Sequence, residues 1–194
     1  NHVYSKEMEH DACGVGVIAS TEGKKSREIV EYGIEALKAV WHRGAVDADG
    51  KTGDGAGIHV EIPKDFFIEK IEVTGHDYDN SEICVGMIFL PRNDYSSQES
   101  CKTIVESELT KNNFSIYGWR QVPVNPKILG EKAFQTMPEI IQVLFKPNDL
   151  NLIDKDLERK IYETRKKIEN KAFELSLNNF YICSISSKSI IYKG

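Results

Sequence analysis

The residue types that could do chemistry concentrate in the first 57 positions of this 194-residue chain. Cys13 lies between an acidic, polar leader and a glycine-rich apolar run, a context that the other three cysteines do not share. A thiolate is a nucleophile and a metal ligand, but most cysteines in proteins are small buried residues without a reactive role. The residue type and its immediate neighbours do not decide between these two roles for Cys13.

A second cluster of candidate residues follows in 43–57, which contain five glycines and three aspartates and therefore predict a loop. A phosphate-binding loop is excluded because Ala45 stands where that motif needs its first glycine. A calcium loop starting at Asp47 is excluded because Lys51 and Ile58 occupy positions that need oxygen ligands. The segment therefore predicts a tight glycine-rich turn with solvated carboxylates.

Two further motifs have simple structural interpretations. Gly14 and Gly16 match the first part of a dinucleotide fingerprint, but the predicted strand runs through them instead of ending before them. His42-Arg43-Gly44 fits a cationic helix C-terminus followed by a glycine cap.

The elements that must position these residues follow from hydrophobic spacing. The small apolar residues 13–20 predict a buried strand. Apolar residues 4, 3 and 4 positions apart predict an amphipathic helix over 26–41, with Ser26 as its N-cap. Alternation of apolar and polar residues predicts a half-buried strand over 58–62.

The remaining elements do not alternate as strand–helix–strand units. Residues 70–82 predict loop or edge structure, and the strands at 180–185 and 189–193 flank a polar turn and predict a hairpin. This order predicts an α+β fold with a mixed or antiparallel sheet layered with helices. The other predicted strands are 83–90, 114–124 and 139–146, and the other predicted helices are 97–111 and 154–176.

Composition, the length of the apolar runs and the placement of the cysteines limit the binding partners and the compartment to be expected. Hydrophobic residues make up 40% of the chain, which argues against disorder, and the formal charge of -5 argues against a nucleic-acid partner. The longest apolar run, 83–90, is too short to cross a membrane. The scattered cysteines predict no metal site. No secretory signal is present, so the cytoplasm is the expected compartment, with a plastid left open.

Taken together, the motifs closely resemble the start of the large (α) subunit of glutamate synthases, a glutaminase domain of the class II glutamine amidotransferases. The similarity extends over essentially the whole chain, through Gly118–Val124 and Phe180–Gly194. The segments that carry it are Asp11-Ala12-Cys13-Gly14-Val15-Gly16, His42-Arg43-Gly44-Ala45 and Thr52-Gly53-Asp54-Gly55-Ala56-Gly57-Ile58.

The resemblance implies an N-terminal-nucleophile (Ntn) hydrolase fold, a four-layer αββα sandwich of which this chain holds the first half. It implies that residues 1–12 are a propeptide remnant and that residues 13–194 are a partial amidotransferase type 2 domain. The matching catalytic residue is Cys13. The residues implied to support it are Arg43, Gly44, Asp54, Gly55 and Gly57.

The activity implied is hydrolysis of L-glutamine to glutamate and ammonia through a cysteine thioester. In the full enzyme the ammonia passes to 2-oxoglutarate. A free α-amino group on Cys13 would be a suitable base for the thiol proton, since its pKa is about 7.7–8.0. While Ala12 remains attached, that nitrogen is an amide, so the sequence as written predicts an inactive, unprocessed form.

The resemblance also implies partners and cofactors. These are the rest of the large subunit, together with a small subunit or ferredoxin, and FMN and an iron–sulfur cluster in regions outside this chain. The family's substrate-binding arginine and its H-N-G-E oxyanion segment do not occur before Gly194, so we expect the isolated chain to be inactive. Two alternatives remain: an incompetent half-domain acting only in folding or interaction, and another class II amidotransferase, against which the Thr52–Ile58 loop argues.

Overall fold

The computed structural model describes residues 14–194, and it has an α+β fold with antiparallel sheets. The helices are α1 Arg27–Ala39, α2 Lys64–Val73, α3 Tyr95–Lys111, α4 Glu131–Thr136 and α5 Asp154–Glu174. The strands are β1 Gly57–Glu61, β2 Cys84–Leu90, β3 Phe114–Gln121, β4 Glu139–Pro147, β5 Tyr181–Ser186 and β6 Ser189–Lys193. None of these helices is both long enough and apolar enough to cross a membrane.

The strands form two sheets. The larger has the order β3-β4-β2-β5, with every neighbouring pair antiparallel, and the smaller pairs β1 with β6. The inner strand β2 is almost continuously buried, as expected of a strand covered on both faces. Of the two predicted arrangements, mixed or antiparallel, the structure has the antiparallel one.

Helices α3 and α5 pack on one face of the four-stranded sheet. Their apolar residues join those of the sheet in a single buried cluster, to which α5 contributes Leu157, Ile161 and Ile168. Within it, the rings of Phe114 and Phe145 meet edge to face, with centroids 5.3 Å apart. This cluster is the larger of the two cores in the described chain.

The opposite face of the same sheet packs against α2 and the smaller sheet. Apolar side chains from both layers form a buried cluster there. It contains Val85 and Leu144 of the larger sheet, Phe67 and Ile71 of α2, and Ile190 of β6. Helix α1 lies against β1 and buries none of its side chains completely. It begins as predicted, because the Ser26 hydroxyl accepts a hydrogen bond from the Ile29 backbone N–H at 3.3 Å.

Three predictions about the elements are wrong. Residues 14–20 are irregular and largely exposed, because no strand in the described part of the chain pairs with them. Strands β5 and β6 do not form a hairpin, since β5 pairs with β2 and β6 with β1. Segment 70–82 begins in helix instead of loop, because α2 extends to Val73.

The turn between β5 and β6 is held by a carboxylate from α5. Glu158 accepts hydrogen bonds from the Ser187 backbone N–H and hydroxyl, both at 2.8 Å, and from the Ser186 hydroxyl at 3.0 Å. This contact fixes the point where the chain leaves one sheet for the other.

A polar cluster fastens the α2–β2 connection to the larger sheet. Asp79 accepts hydrogen bonds from the Ser81 hydroxyl at 2.6 Å and the Tyr117 hydroxyl at 3.1 Å, and it forms an ion pair with Lys146. Lys146 and then Ser81 hold the pKa of Asp79 well below its usual range. Folding therefore favours the ionised carboxylate.

Stability should consequently fall in acid partly through Asp79. A folded pKa below the unfolded value of about 3.9 contributes stability that is complete above that value and lost as pH falls through the folded pKa. We expect Asp79→Asn to lower the urea midpoint at pH 7 and to weaken its decline between pH 5 and 2. Asp77→Asn is the control, since Asp77 is an exposed carboxylate that is not part of the Asp79 cluster. An unchanged acid decline in Asp79→Asn would contradict this role.

Candidate functional site

The glycine-rich segment folds back on itself as a tight loop. Val46 and Gly53 form an antiparallel bridge, and the Asp47 backbone N–H donates to the Thr52 carbonyl at 2.8 Å. At the tip, Gly50 has a φ of +67° and donates its N–H to the Asp47 carbonyl at 2.9 Å. The segment 44–57, called the glycine loop below, is therefore ordered by its own backbone.

The structure brings Asp54 next to the Arg43-Gly44 element. The Asp54 carboxylate accepts a hydrogen bond from the Ala45 backbone N–H at 2.7 Å. Arg43 is the last residue of a short 3-10 helix over Trp41–Arg43, and the Gly44 N–H closes that turn on the Trp41 carbonyl at 3.0 Å. Asp54 thus joins the two motifs that the sequence singled out.

Gly55 and Gly57 lie against the backbone at the end of β6. Ala56 and Gly194 exchange two backbone hydrogen bonds of 2.8 and 2.9 Å. A Cβ at Gly55 would lie 2.6 Å from the Gly194 carbonyl oxygen, and one at Gly57 would lie 3.0 Å from the Tyr192 oxygen. Gly55 also has a φ of +90°, so both its conformation and its surroundings require glycine.

We therefore expect Gly55→Ala to destabilise the chain more than an ordinary glycine replacement does. Gly75→Ala is the matched control, because Gly75 has a φ of +82° but open space around its Cβ position. That control should lose about 1–2 kcal/mol from backbone strain alone. The overlap at Gly55 should add roughly 1–3 kcal/mol. Urea unfolding of both variants measures the difference, and equal losses would show that the contact with β6 is unimportant.

Asp49 is exposed, as the sequence predicted, and its carboxylate is also held by hydrogen bonds within the loop. It accepts hydrogen bonds from the Thr52 hydroxyl at 2.6 Å, the Thr52 N–H at 2.7 Å and the Lys51 N–H at 2.9 Å. These donors, the hydroxyl first, hold the pKa of Asp49 well below its usual range. The spacing Asp-x-x-Thr is the sequence signal that could have indicated this turn.

Cys13, the predicted nucleophile, lies outside the described residues. The other cysteines, Cys84, Cys101 and Cys183, are free and buried. Burial raises the pKa of each thiol, that of Cys101 to about 11. These three thiols are therefore poor nucleophiles at neutral pH.

No metal centre is present among residues 14–194, where no three His, Cys, Asp or Glu side chains converge as ligands. The buried cysteines of this part of the chain are also not grouped as an iron–sulfur cluster requires.

A cavity of about 290 Å³ opens beside the glycine loop, where β6 ends. Its walls are mainly apolar, and Lys193 is the charged residue among the described ones that line it. The Lys193 ammonium lies 4.6 Å from the centre of the Tyr181 ring and 3.3 Å from that hydroxyl. These walls alone do not provide the charged groups that an amino-acid substrate needs. The apolar lining is Met87, Val122, Pro123, Val124, Ile140 and Tyr192.

Comparison with known proteins accounts for this arrangement of motifs. The family described as "Glutamine amidotransferases class-II" matches residues 13–194. The large chain of NADPH glutamate synthase from Azospirillum brasilense is 53% identical over 193 residues, which cover 100% of this chain and 13% of the relative. Ferredoxin-dependent glutamate synthase 1 from Arabidopsis thaliana, a chloroplastic/mitochondrial protein, is 41% identical over 188 residues, covering 96% of this chain and 12% of the relative.

A cyanobacterial relative extends the similarity. Ferredoxin-dependent glutamate synthase 2 from a Synechocystis species is 36% identical over 187 residues, covering 96% of this chain and 12% of that protein. The chain thus spans about an eighth of the length of these relatives. The family match covers every described residue as well as Cys13, and the chain therefore belongs to the class-II glutamine amidotransferases.

Proposed function

We propose that this chain is the first part of the glutaminase domain of a glutamate synthase, with Cys13 as its nucleophile. The observation that carries the proposal is the start of the family match at Cys13, which leaves residues 1–12 outside it. This boundary is what a removable leader followed by a catalytic N-terminal cysteine would produce. The named relatives are glutamate synthases, which favours this family over other class II amidotransferases.

The chemistry follows from the position of the cysteine. Cleavage after Ala12 frees the α-amino group, which accepts the thiol proton of Cys13. The thiolate attacks the side-chain carbonyl carbon of glutamine, and the C–N bond breaks as the same amine returns the proton to the departing ammonia. Water then hydrolyses the γ-glutamyl thioester, which releases glutamate and restores the thiol.

The described residues would support this chemistry by holding the backbone near the nucleophile. Asp54 fixes Ala45 at 2.7 Å, which fixes the element that contains Arg43 and Gly44. A cation close to the thiol would lower its pKa and stabilise negative charge. Gly55 and Gly57 allow the glycine loop to approach β6 closely. In this proposal these residues position the site, and the bond-making atoms belong to Cys13.

The remainder of the domain is the first partner that the proposal requires. Val15, Val17 and Trp41 are 88, 87 and 75% exposed, and large exposed apolar side chains mark surfaces that are covered in an assembly. We place further strands of the large subunit beside residues 14–20. These strands would complete the Ntn four-layer sandwich and supply the groups that bind the polar ends of glutamine.

The rest of the proposed enzyme uses the ammonia. It would react with 2-oxoglutarate in another region of the large subunit, which would hold FMN and the iron–sulfur cluster and receive electrons through a small subunit or ferredoxin. The cytoplasm remains the proposed compartment, with a plastid as the alternative suggested by the chloroplastic relatives. The rival hypothesis is a catalytically incompetent half-domain that acts only in folding or interaction.

The test is intact mass spectrometry after incubation with a glutamine analogue that alkylates thiols. Two forms of the longer protein should be compared, one starting at Cys13 and one retaining residues 1–12. We expect one adduct, mapped to Cys13, in the first form alone. The buried thiols Cys84, Cys101 and Cys183 serve as internal controls. If Cys13 reacts with a general alkylating reagent but not with the glutamine analogue, the result contradicts the proposal and favours the incompetent half-domain.

A further inference from the structure

Gly130, immediately before α4, lies in contact with the glycine loop. Gly130 is buried, and a Cβ there would collide with the Thr52 hydroxyl and the Asp49 carboxylate and lie 2.6 Å from the Thr52 backbone nitrogen. Such a close approach is open to glycine and to no other residue. The Asp49 and Thr52 side chains of the loop therefore pack directly on the Gly130 backbone, where no Cβ fits between them.

Charge reinforces the same contact. The Lys132 ammonium lies 2.6 Å from the Asp47 carboxylate, across 85 positions of sequence. Asp49 binds the Thr52 hydroxyl and N–H on the loop side, and the Glu131 backbone N–H contributes to lowering its pKa from the α4 side. The carboxylates of Asp47 and Asp49 thus both face α4.

The other end of α4 is fastened to the larger sheet. The Arg92 guanidinium lies 4.6 Å from the centre of the Phe134 ring, and its Nη1 donates to the Phe134 carbonyl at 3.5 Å. Arg92 follows β2 by two residues, so its backbone position is set by an inner strand of the sheet. Helix α4 therefore bridges the sheet and the glycine loop.

The contacts continue from α4 to the proposed site. Asp49 and Thr52 fix the tip of the loop, the bridge between Val46 and Gly53 fixes its two arms, and Asp54 binds the Ala45 N–H. We propose that Gly130 and α4 form a clamp that positions the glycine loop and, through it, the Arg43-Gly44 element, with Asp49 and Thr52 as the positioning residues. The clamp is a property of the fold, and its effect on catalysis rests on the proposed function.

Hydrogen exchange tests the clamp without requiring any activity. We expect Gly130→Ala and Thr52→Val to raise amide exchange in residues 44–54 by about tenfold or more, because opening the loop becomes easier. Thr52→Ser keeps the hydroxyl and should restore slow exchange, which separates loss of the hydrogen bond from loss of packing. If Gly130→Ala does not fold, Thr52→Val measures the same contact from the loop side.

Asp94→Ala is the matched control. Asp94 accepts the Ser97 N–H at 3.0 Å and the Ser97 hydroxyl at 2.6 Å, the same pattern that Asp49 makes with Thr52. Its carboxylate caps α3 and bonds to the first turn of that helix, so its loss should raise exchange at the start of α3 and leave residues 44–54 unchanged. Unchanged exchange of residues 44–54 in folded Gly130→Ala and Thr52→Val would overturn the clamp.

The effect on the site is measured by the alkylation rate of Cys13 in the longer protein. Positioning predicts a lower maximal rate for Thr52→Val with similar half-saturation by the glutamine analogue, rescue by Thr52→Ser, and no change for Asp94→Ala. Faster loop exchange with a normal maximal rate would overturn the positioning role while leaving the proposed function intact. Absence of labelling in the unmodified protein would instead contradict the proposed function, and the exchange result would still decide the clamp.

Discussion

Cys13→Ala should abolish glutamine hydrolysis by the longer protein, with kcat falling on the order of 10⁶-fold, the loss that removal of a catalytic nucleophile can produce. In the proposed mechanism alanine has no atom that can form the thioester, so neither the α-amino group nor the glycine loop could compensate. The measurement is release of glutamate and ammonia from glutamine by the form that starts at residue 13.

Cys183→Ala is the matched control for that experiment. Cys183 lies on β5, is 7% exposed, and has a pKa raised by burial, so its thiol is not available as a nucleophile. We expect the control to retain glutaminase activity. Substantial activity in Cys13→Ala would show that the nucleophile lies elsewhere. If both variants remained folded but lost activity, the experiment would give Cys13 no special role.

Phe145→Ala should produce the largest loss of stability among single replacements in the larger core, about 3–5 kcal/mol. Phe145 is wholly buried on β4, and its ring meets the edge of Phe114. Truncation removes that contact and leaves a cavity between the sheet and the helices packed on it. Urea unfolding at neutral pH measures the change in the free energy of unfolding.

Phe173→Ala controls for the loss of an aromatic ring as such. Phe173 lies on α5 but is 85% exposed, so its replacement should change stability by no more than about 0.5 kcal/mol. A loss below about 1.5 kcal/mol in Phe145→Ala would mean that the core collapses into the space and is less rigidly packed than the structure indicates.

Long elements with a clear hydrophobic period could be predicted from the sequence. Helices α1, α3 and α5 and the strands of the larger sheet occupy the predicted regions within a few residues. Helix α2 was missed because it is short and follows Pro63, although Phe67 and Ile71 stand four positions apart and both face the core. A local pattern of two residues is too weak to distinguish a helical turn from a loop.

The errors concern pairing between distant segments. Residues 14–20 have a strand-like composition. A strand forms, however, only where another strand pairs with its backbone N–H and C=O groups, and the local sequence does not identify that partner. A β5–β6 hairpin is the pairing that the local sequence predicts for two strands joined by a short turn. The longer-range contact of Glu158 with Ser186 and Ser187 instead stabilises the turn at which the chain passes from the larger sheet to the smaller one.

The candidate site likewise has a part that could be predicted from the sequence and a part that could not. The glycine loop is evident from its motif, and the hydrogen bond between Ala45 and Asp54 within it joins residues only nine positions apart. The contribution of Gly130 and Lys132 could not be predicted, because they come from a segment about 80 positions away whose residue types carry no signal of their own. The chemical role of Cys13 stays a prediction.

The order of strands in the larger sheet has a consequence for synthesis of the protein. The apolar strand β2 emerges from the ribosome early, yet its neighbours β4 and β5 are Glu139–Pro147 and Tyr181–Ser186. At the usual pace of translation, β5 follows β2 by roughly 5–20 s. During that interval the nascent chain holds its most apolar segment without its final partners, which makes it a natural substrate for chaperones.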